Sequence, residues 1–256
     1  MDFHRAMAAL RTALADSSRA QAAPDLVEQV LDLVRPSIGL AVPARSRNGA
    51  ATDSVAGWYG GLPGLPDGVP WPEHRGRPMT LLAQLDCAAL APLLGPEWTL
   101  PRDGVLLFFS EEWFHADFGT GPGDDGCAVL HVPAGAPRRD APAGTGVVPA
   151  LPLVAAPVLA APDYTEPELA ALFSADPIRV MGLATEIRDR LPTVRHRVLG
   201  WLDSQLAGPA GHRPLLALEA EEGTAWGELV GVSFWIGGPD LTAGRFSRVR
   251  RVLEVA

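Results

Sequence analysis

Lysine is missing from this chain: all 21 of its strongly basic side chains are arginine, and Asn48 is its one asparagine. With 25 prolines and 27 glycines beside abundant alanine, that bias reads as the coding habit of a GC-rich genome. The absence still excludes chemistry, because neither a Schiff-base lysine nor a phosphate-loop lysine is available. Cysteine is almost as scarce. Cys87 and Cys127 stand far apart without a CxxC pair, so neither a thiolate metal site nor a disulfide framework is expected. Long apolar runs are lacking as well, and no membrane-spanning helix is expected. Arg11 interrupts the apolar stretch from Ala6 to Ala15, which argues against a signal peptide and leaves the cytoplasm as the expected compartment.

Positive charge is in the minority, with a net charge of −9. That balance speaks against general nucleic-acid or anionic-membrane binding. It suits a basic partner, and it is also ordinary for a soluble protein. Catalytic signatures are missing too. No serine lies in a GxSxG, no HExxH occurs, and Gly119-Thr120-Gly121-Pro122-Gly123 has neither the spacing nor the context of a dinucleotide or phosphate loop.

What is present is apolar substance and rigid turns. Nearly half of the 256 residues are hydrophobic, enough for a sizeable core in one large domain or two small ones. Residues 2–20 read as an amphipathic helix with Phe3, Met7, Leu10 and Leu14 on one face, and Pro24-Asp25 opens a second that ends at Pro36. From Ile38 the pattern changes to short apolar runs bounded by Gly and Pro, which read as strands: Gly39 to Pro43, Thr80 to Asp86, Gly104 to Phe109, Ala128 to Val132 and Leu151 to Leu159. Cys87 to Leu94 fits one or two helical turns, and Ala134 to Thr145 an exposed loop. Thr165 and Glu168 have capping-box spacing for a helix to about Ser174, and Asp176-Pro177 starts another that runs to Arg190.

The C-terminal part echoes the earlier one. Arg213 to Glu219 is similar to Arg77 to Asp86, and Leu229 to Trp235 to Gly104 to Phe109. The expected fold is therefore α+β and β-rich, with duplicated sheet units forming a sandwich or open barrel, N-terminal helices and a helical insertion near 165–190. The expected division is a helical segment over 1–36 and a main domain over 37–256, divisible into halves 37–160 and 161–256.

The densest punctuation lies in Trp58 to Pro72, a turn built of Gly60-Gly61-Leu62-Pro63-Gly64-Leu65-Pro66 followed by Trp71-Pro72. After it come Pro78 to Leu85 with Gln84 in place, Gly104 to Phe109, Gly126 to Leu130, then His196, Leu199, Gly200 and Gln205, and finally Trp226-Gly227, Gly231, Phe234, Leu241 and Phe246-Ser247. In that order these segments resemble the YwqG-like family of bacterial proteins of undefined function, over residues 38–256. The resemblance implies a β-rich fold and no established reaction. It draws attention to Gln84, His196, Gln205 and Trp226 as ligand-binding positions. Ala217 departs from the family pattern, which usually has a Gln there.

Reactive groups cluster at Glu111, Glu112, His115, Asp117, Asp124, Asp125 and His131, around the glycine-rich stretch 119–126. Carboxylates and imidazoles beside strand ends suit a divalent metal, for which His115, Asp117, Asp124 and His131 are the candidates, or an acid/base pair. The plain alternative is a solvated loop with turn-forming Asp and Gly. His196 lies between Arg195 and Arg197, whose charges would lower its pKa; with His115 and Asp117 it is a catalytic candidate. Trp58 and Trp71 flank the rigid turn and are expected to be partly exposed, lining a groove. The reading that follows is a non-catalytic cytoplasmic binding protein, with a Gly/Pro turn and aromatic groove for a small ligand or a protein partner, as an immunity protein binds a toxin. The alternative is a hydrolase or lyase using His/Asp acid-base chemistry, metal-assisted or not. No cofactor is predicted.

Overall fold

The computed structural model describes residues 2–43, 55–111, 126–174, 176–202, 208–224, 226 and 229–255. In chain order its elements are α1 (Phe3–Leu14), α2 (Ser18–Ala22), α3 (Pro24–Leu31), β1 (Arg35–Ala41), β2 (Val55–Tyr59), β3 (Glu73–His74), β4 (Arg77–Pro78), β5 (Thr80–Asp86), α4 (Cys87–Leu94), β6 (Val105–Ser110) and β7 (Cys127–Val132). Then follow β8 (Leu151–Ala160), α5 (Pro167–Ala170), α6 (Pro177–Arg188), β9 (His196–Val198), β10 (His212–Glu219), β11 (Leu229–Gly237), α7 (Gly238–Thr242) and β12 (Arg250–Val255). This is a β-rich α+β fold.

Ten strands form one antiparallel sheet in the order β12-β11-β10-β9-β1-β8-β2-β5-β6-β7, while β3 and β4 make a small separate hairpin. The centre is the β1–β8 pair, in register from Arg35↔Ala160 to Ala41↔Val154. One arm runs outward through β2, β5, β6 and β7, the other through β9, β10, β11 and β12. The sheet curls until its two ends nearly meet. Phe108 of β6 packs edge-on against Phe234 of β11, their centroids 5.2 Å apart. Arg251 of β12 reaches Ser110 and Glu111 at the end of β6. Ile38, Leu85 and Phe108 thus share one core with Leu216, Phe234 and Ile236, which makes the molecule an open barrel.

Strand β6 and the start of β5 are apolar on both faces. Leu82, Leu106 and Phe108 point into the barrel, whereas Met79, Leu81, Leu107 and Phe109 point outward and are buried under Leu65 and Trp71. Burying each such side chain is worth about 1.5–3 kcal/mol, so this outer face needs a cover. The Gly60–Pro72 turn is that cover.

The helices form a second layer. Met7, Leu10 and Leu14 of α1 and Val27, Val30 and Leu31 of α3 pack with Val180, Leu183 and Ile187 of α6 and with Leu159 and Ala161 at the end of β8. Several local expectations differ from what forms. The second helix, expected to end at Pro36, ends at Leu31, and the strand expected over Gly39 to Pro43 is β1, which begins at Arg35 and contains Pro36. The helix expected over 2–20 is two helices, because the Ser17 hydroxyl accepts the Ala20 amide at 3.2 Å and starts a new one. The capping box at Thr165 does not form: the Thr165 amide donates to Asp163 Oδ1 at 3.2 Å, and Glu166 becomes the N-cap of α5 with Pro167 next. Among the described residues no helix is long and apolar enough to cross a membrane.

Candidate functional site

The Gly/Pro turn is fixed from both ends. Gly60 adopts φ +62°, and a Cβ there would lie 2.6 Å from the Pro149 carbonyl oxygen and 2.7 Å from that of Val148, so glycine is required. The Gly60 amide donates to Leu82 O at 2.7 Å and that of Gly61 to Val148 O at 2.9 Å. Further on, Leu65 N donates to Pro137 O and Arg139 N to Pro63 O. The Arg139 guanidinium also holds the turn, with Nη1 2.6 Å from Val69 O and Nη2 2.5 Å from Pro66 O.

Between this turn, the outward face of β2 and β5, and residues 133–138 lies a cleft of about 260 Å3, lined by Trp58, Gln84, Asp86 and Arg138 among others. Trp58 and Gln84 are direct partners in the β2–β5 ladder, and Asp86 follows two residues later on the same face. Gln84 Nε2 donates to Leu62 O at 3.2 Å and lies 3.4 Å from Gly60 O. An amide that faces two carbonyl oxygens must present its NH2 to them, so its Oε1 turns the other way. Asp86 Oδ1 accepts from the amides of Ala88 and Ala89 at 2.9 and 3.3 Å, which caps α4 and fixes the carboxylate. Trp58 is half-buried and Arg138 exposed.

His196 is in a different place. It points from β9 into the core and is fully buried. Its Nδ1 accepts the Glu219 amide at 3.2 Å, and its Nε2 lies 2.9 Å from Glu221 Oε1. The ring is therefore in the neutral Nε2–H form, donating to the carboxylate. Burial pushes its pKa below the ordinary histidine value; Glu221 opposes that shift, and Arg195 adds slightly to it. The Tyr59 ring sits 5.5 Å from the imidazole and 5.7 Å from the Trp226 ring, and its hydroxyl donates to Glu219 O at 3.2 Å. Burial raises the Tyr59 phenol well above its ordinary range. Glu221, paired with Arg195 at 3.2 Å, also reaches the rim of a larger cleft of about 720 Å3 over the outer face of β1 and β8.

The sequence candidates thus do not converge on one site. Trp58 and Gln84 come together at the outer cleft, while His196 and Trp226 meet Tyr59 in the interior. Trp71 joins neither group: its Nε1 donates to Met79 O at 2.8 Å and its ring packs edge-on against Phe109 at 5.6 Å. It is half-buried, as is Trp58. His131 bonds the Asp103 carbonyl at 2.8 Å. His115, Asp117, Asp124 and Gln205 lie outside the described residues, as do Glu112 and Asp125. Among the described residues no group of three His, Cys, Asp or Glu side chains is placed to hold a metal ion. Burial, the nearby Asp86 and then Asp103 push the Cys87 thiol up to about 12, which makes it a poor nucleophile.

Asp86, Arg138, Tyr59 and Glu221 were not singled out from the sequence. Alternation along β5 places Asp86 on the face of Gln84 and was a usable signal. Arg138 and Glu221 arrive through long-range chain pairing, which no local pattern reports.

Comparison with known proteins adds one match. Residues 58–254 fit a family model described as a domain of unknown function, DUF1963. No curated protein matches the chain.

Proposed function

The chain belongs to the DUF1963 family, a domain family of unknown function, and on that premise we propose that it is a non-catalytic binding protein. Its binding site is the outer cleft beside the Gly60–Pro72 turn. The observation that carries this reading is the pairing of Trp58 with Gln84 across β2 and β5 on the floor of one concave site. An aromatic surface, a few fixed polar groups and a wall held by backbone hydrogen bonds are what a pre-formed ligand site requires. Placement among the YwqG-like bacterial proteins and residence in the cytoplasm are parts of the same proposal. So is the protein-partner version, in which an immunity-like chain of net charge −9 meets a basic toxin.

Native mass spectrometry of the protein, purified gently from its own organism, tests the reading. The expected result is a bound mass that Trp58→Ala removes while the melting temperature stays within about 2 °C, as for a surface substitution. Bare wild-type protein, or a bound mass indifferent to Trp58, overturns it.

A second reading has its own observation: Glu221, backed by His196, stands at the rim of the larger cleft. A hydrolase or lyase would use Glu221 as general base, with His196 positioning it. An activity that survives Glu221→Gln would eliminate that assignment.

A further inference from the structure

The outer cleft carries more chemical information than the bare statement that something binds there. Four of its polar groups are unused by the fold. Among the described residues nothing is hydrogen-bonded to the indole N–H of Trp58, to Gln84 Oε1, to Asp86 Oδ2 or to the Arg138 guanidinium. Three of the four are held in place by something else. Trp58 is set by the ladder, Gln84 by two turn carbonyls and Asp86 by the two amides of the α4 N-terminus.

We propose that the cleft binds a small neutral polyhydroxyl compound, a single sugar ring or a cyclic polyol; this rests on the reading of the cleft as the binding site. The ligand classes separate by what each would leave unpaired. An apolar ligand would strip water from all four groups and give nothing back, at about 1–3 kcal/mol for each group left unsatisfied. A cation suits Asp86, Gln84 Oε1 and the indole face, but it meets the Arg138 charge. An anion suits Arg138 and the indole N–H, but it meets Asp86 and the Gln84 carbonyl. A zwitterion satisfies both charges only by giving up the hydration of two ions of its own.

Hydroxyl groups donate and accept at once. Two of them donate to Gln84 Oε1 and Asp86 Oδ2, which β5 presents two residues apart on one face. Ring and hydroxyl oxygens accept from Arg138 and from the indole N–H. The C–H face of the ring covers the Trp58 indole. The volume agrees: about 260 Å3 lies below the roughly 300–1,000 Å3 of drug-sized sites.

The test is a saturation-transfer NMR and tryptophan-fluorescence titration of the whole chain. The probes are D-glucose, D-galactose, N-acetyl-D-glucosamine and myo-inositol, with choline, acetate and glycine as the charged arms. The expected result is micromolar binding of at least one polyol, tight enough to survive gentle purification. Trp58→Ala and Gln84→Ala should each weaken it about tenfold, as the loss of one stacking or one hydrogen-bonding partner does. Trp58→Phe, which keeps an aromatic face, should retain most of it, and Trp71→Phe should leave it unchanged. Binding of choline, acetate or glycine at Trp58 with no polyol bound overturns the ligand class and leaves the cleft as the binding site. Polyol binding that ignores Trp58 and Gln84 overturns the site. If no probe binds and the purified protein is also bare, both readings fall together.

Discussion

At the scale of single residues, His196 shows how environment decides what a side chain can do. A histidine between two arginines invites a reading in which those charges set its protonation. In the fold the largest influence is burial, and Arg195 contributes least. Both ring nitrogens are occupied, one by a backbone amide and one by a carboxylate, so the group pins β9 to the end of β10. Its folded pKa is lowered, so the unfolded chain takes up the proton more readily. The stability it contributes is then complete above about pH 6.5, the ordinary histidine value, and is lost as the pH falls through the folded value. His196→Gln should cost about 1–3 kcal/mol at pH 7.5, the range for leaving a buried hydrogen-bonding group unpaired, and the gap to wild type should narrow towards pH 5. Urea melts at the two pH values measure this, and a gap of equal size at both would contradict the account. His196 stood out in the sequence. Glu221 did not, because 25 residues separate it from the imidazole and only strand pairing brings them together.

At the scale of elements, what could be read depended on whether the signal was local. Strand β5 and helix α4 meet at Asp86, whose carboxylate caps the helix, and both were legible to the residue. Strand β2 was hidden because Gly57 and the following turn outweighed five residues of extended chain, and β9 is only three residues long. The Gly/Pro turn was visible as something rigid. Its partner, the segment around 136–139, read as an exposed loop, since nothing near Arg139 says that it reaches back to Pro66 and Val69. Arg139→Met keeps the apolar stem and removes both hydrogen bonds. Losing charge-assisted bonds of this kind costs about 1.5–3 kcal/mol. Because the turn forms one wall of the cleft, the substitution should also shift the Trp58 emission. A lower melting temperature with unchanged Trp58 fluorescence would separate the turn from the cleft.

At the scale of the whole molecule, the two arms of the sheet must be held where they nearly meet. The sequence echo acquires a spatial meaning here: β5 and β10 are each second outward from the central β1–β8 pair, and β6 and β11 each third. Like strands therefore occupy like ranks in the two arms. The echo carries no information about the seam between their ends, which is made by residues without counterparts. The Arg251 side chain is 1 % exposed, and its guanidinium bonds Ser110 Oγ at 2.6 Å and Glu111 Oε1 at 2.9 Å. His74 lies 3.7 Å from the other oxygen of Glu111, and the Gly126 carbonyl accepts the Glu111 amide at 2.8 Å. Removing the carboxylate takes one charge-assisted hydrogen bond, at 2.9 Å, from the buried Arg251 guanidinium, so Glu111→Ala should destabilise by about 1.5–3 kcal/mol. Replacing the pair together, as Arg251→Met with Glu111→Leu, removes the buried charge and should recover most of that loss, because desolvating two ions offsets much of what their attraction contributes. Denaturant melts of the single and double variants decide the matter. A double variant as unstable as Glu111→Ala would mean that the ion pair itself holds the seam and that apolar packing there cannot replace it.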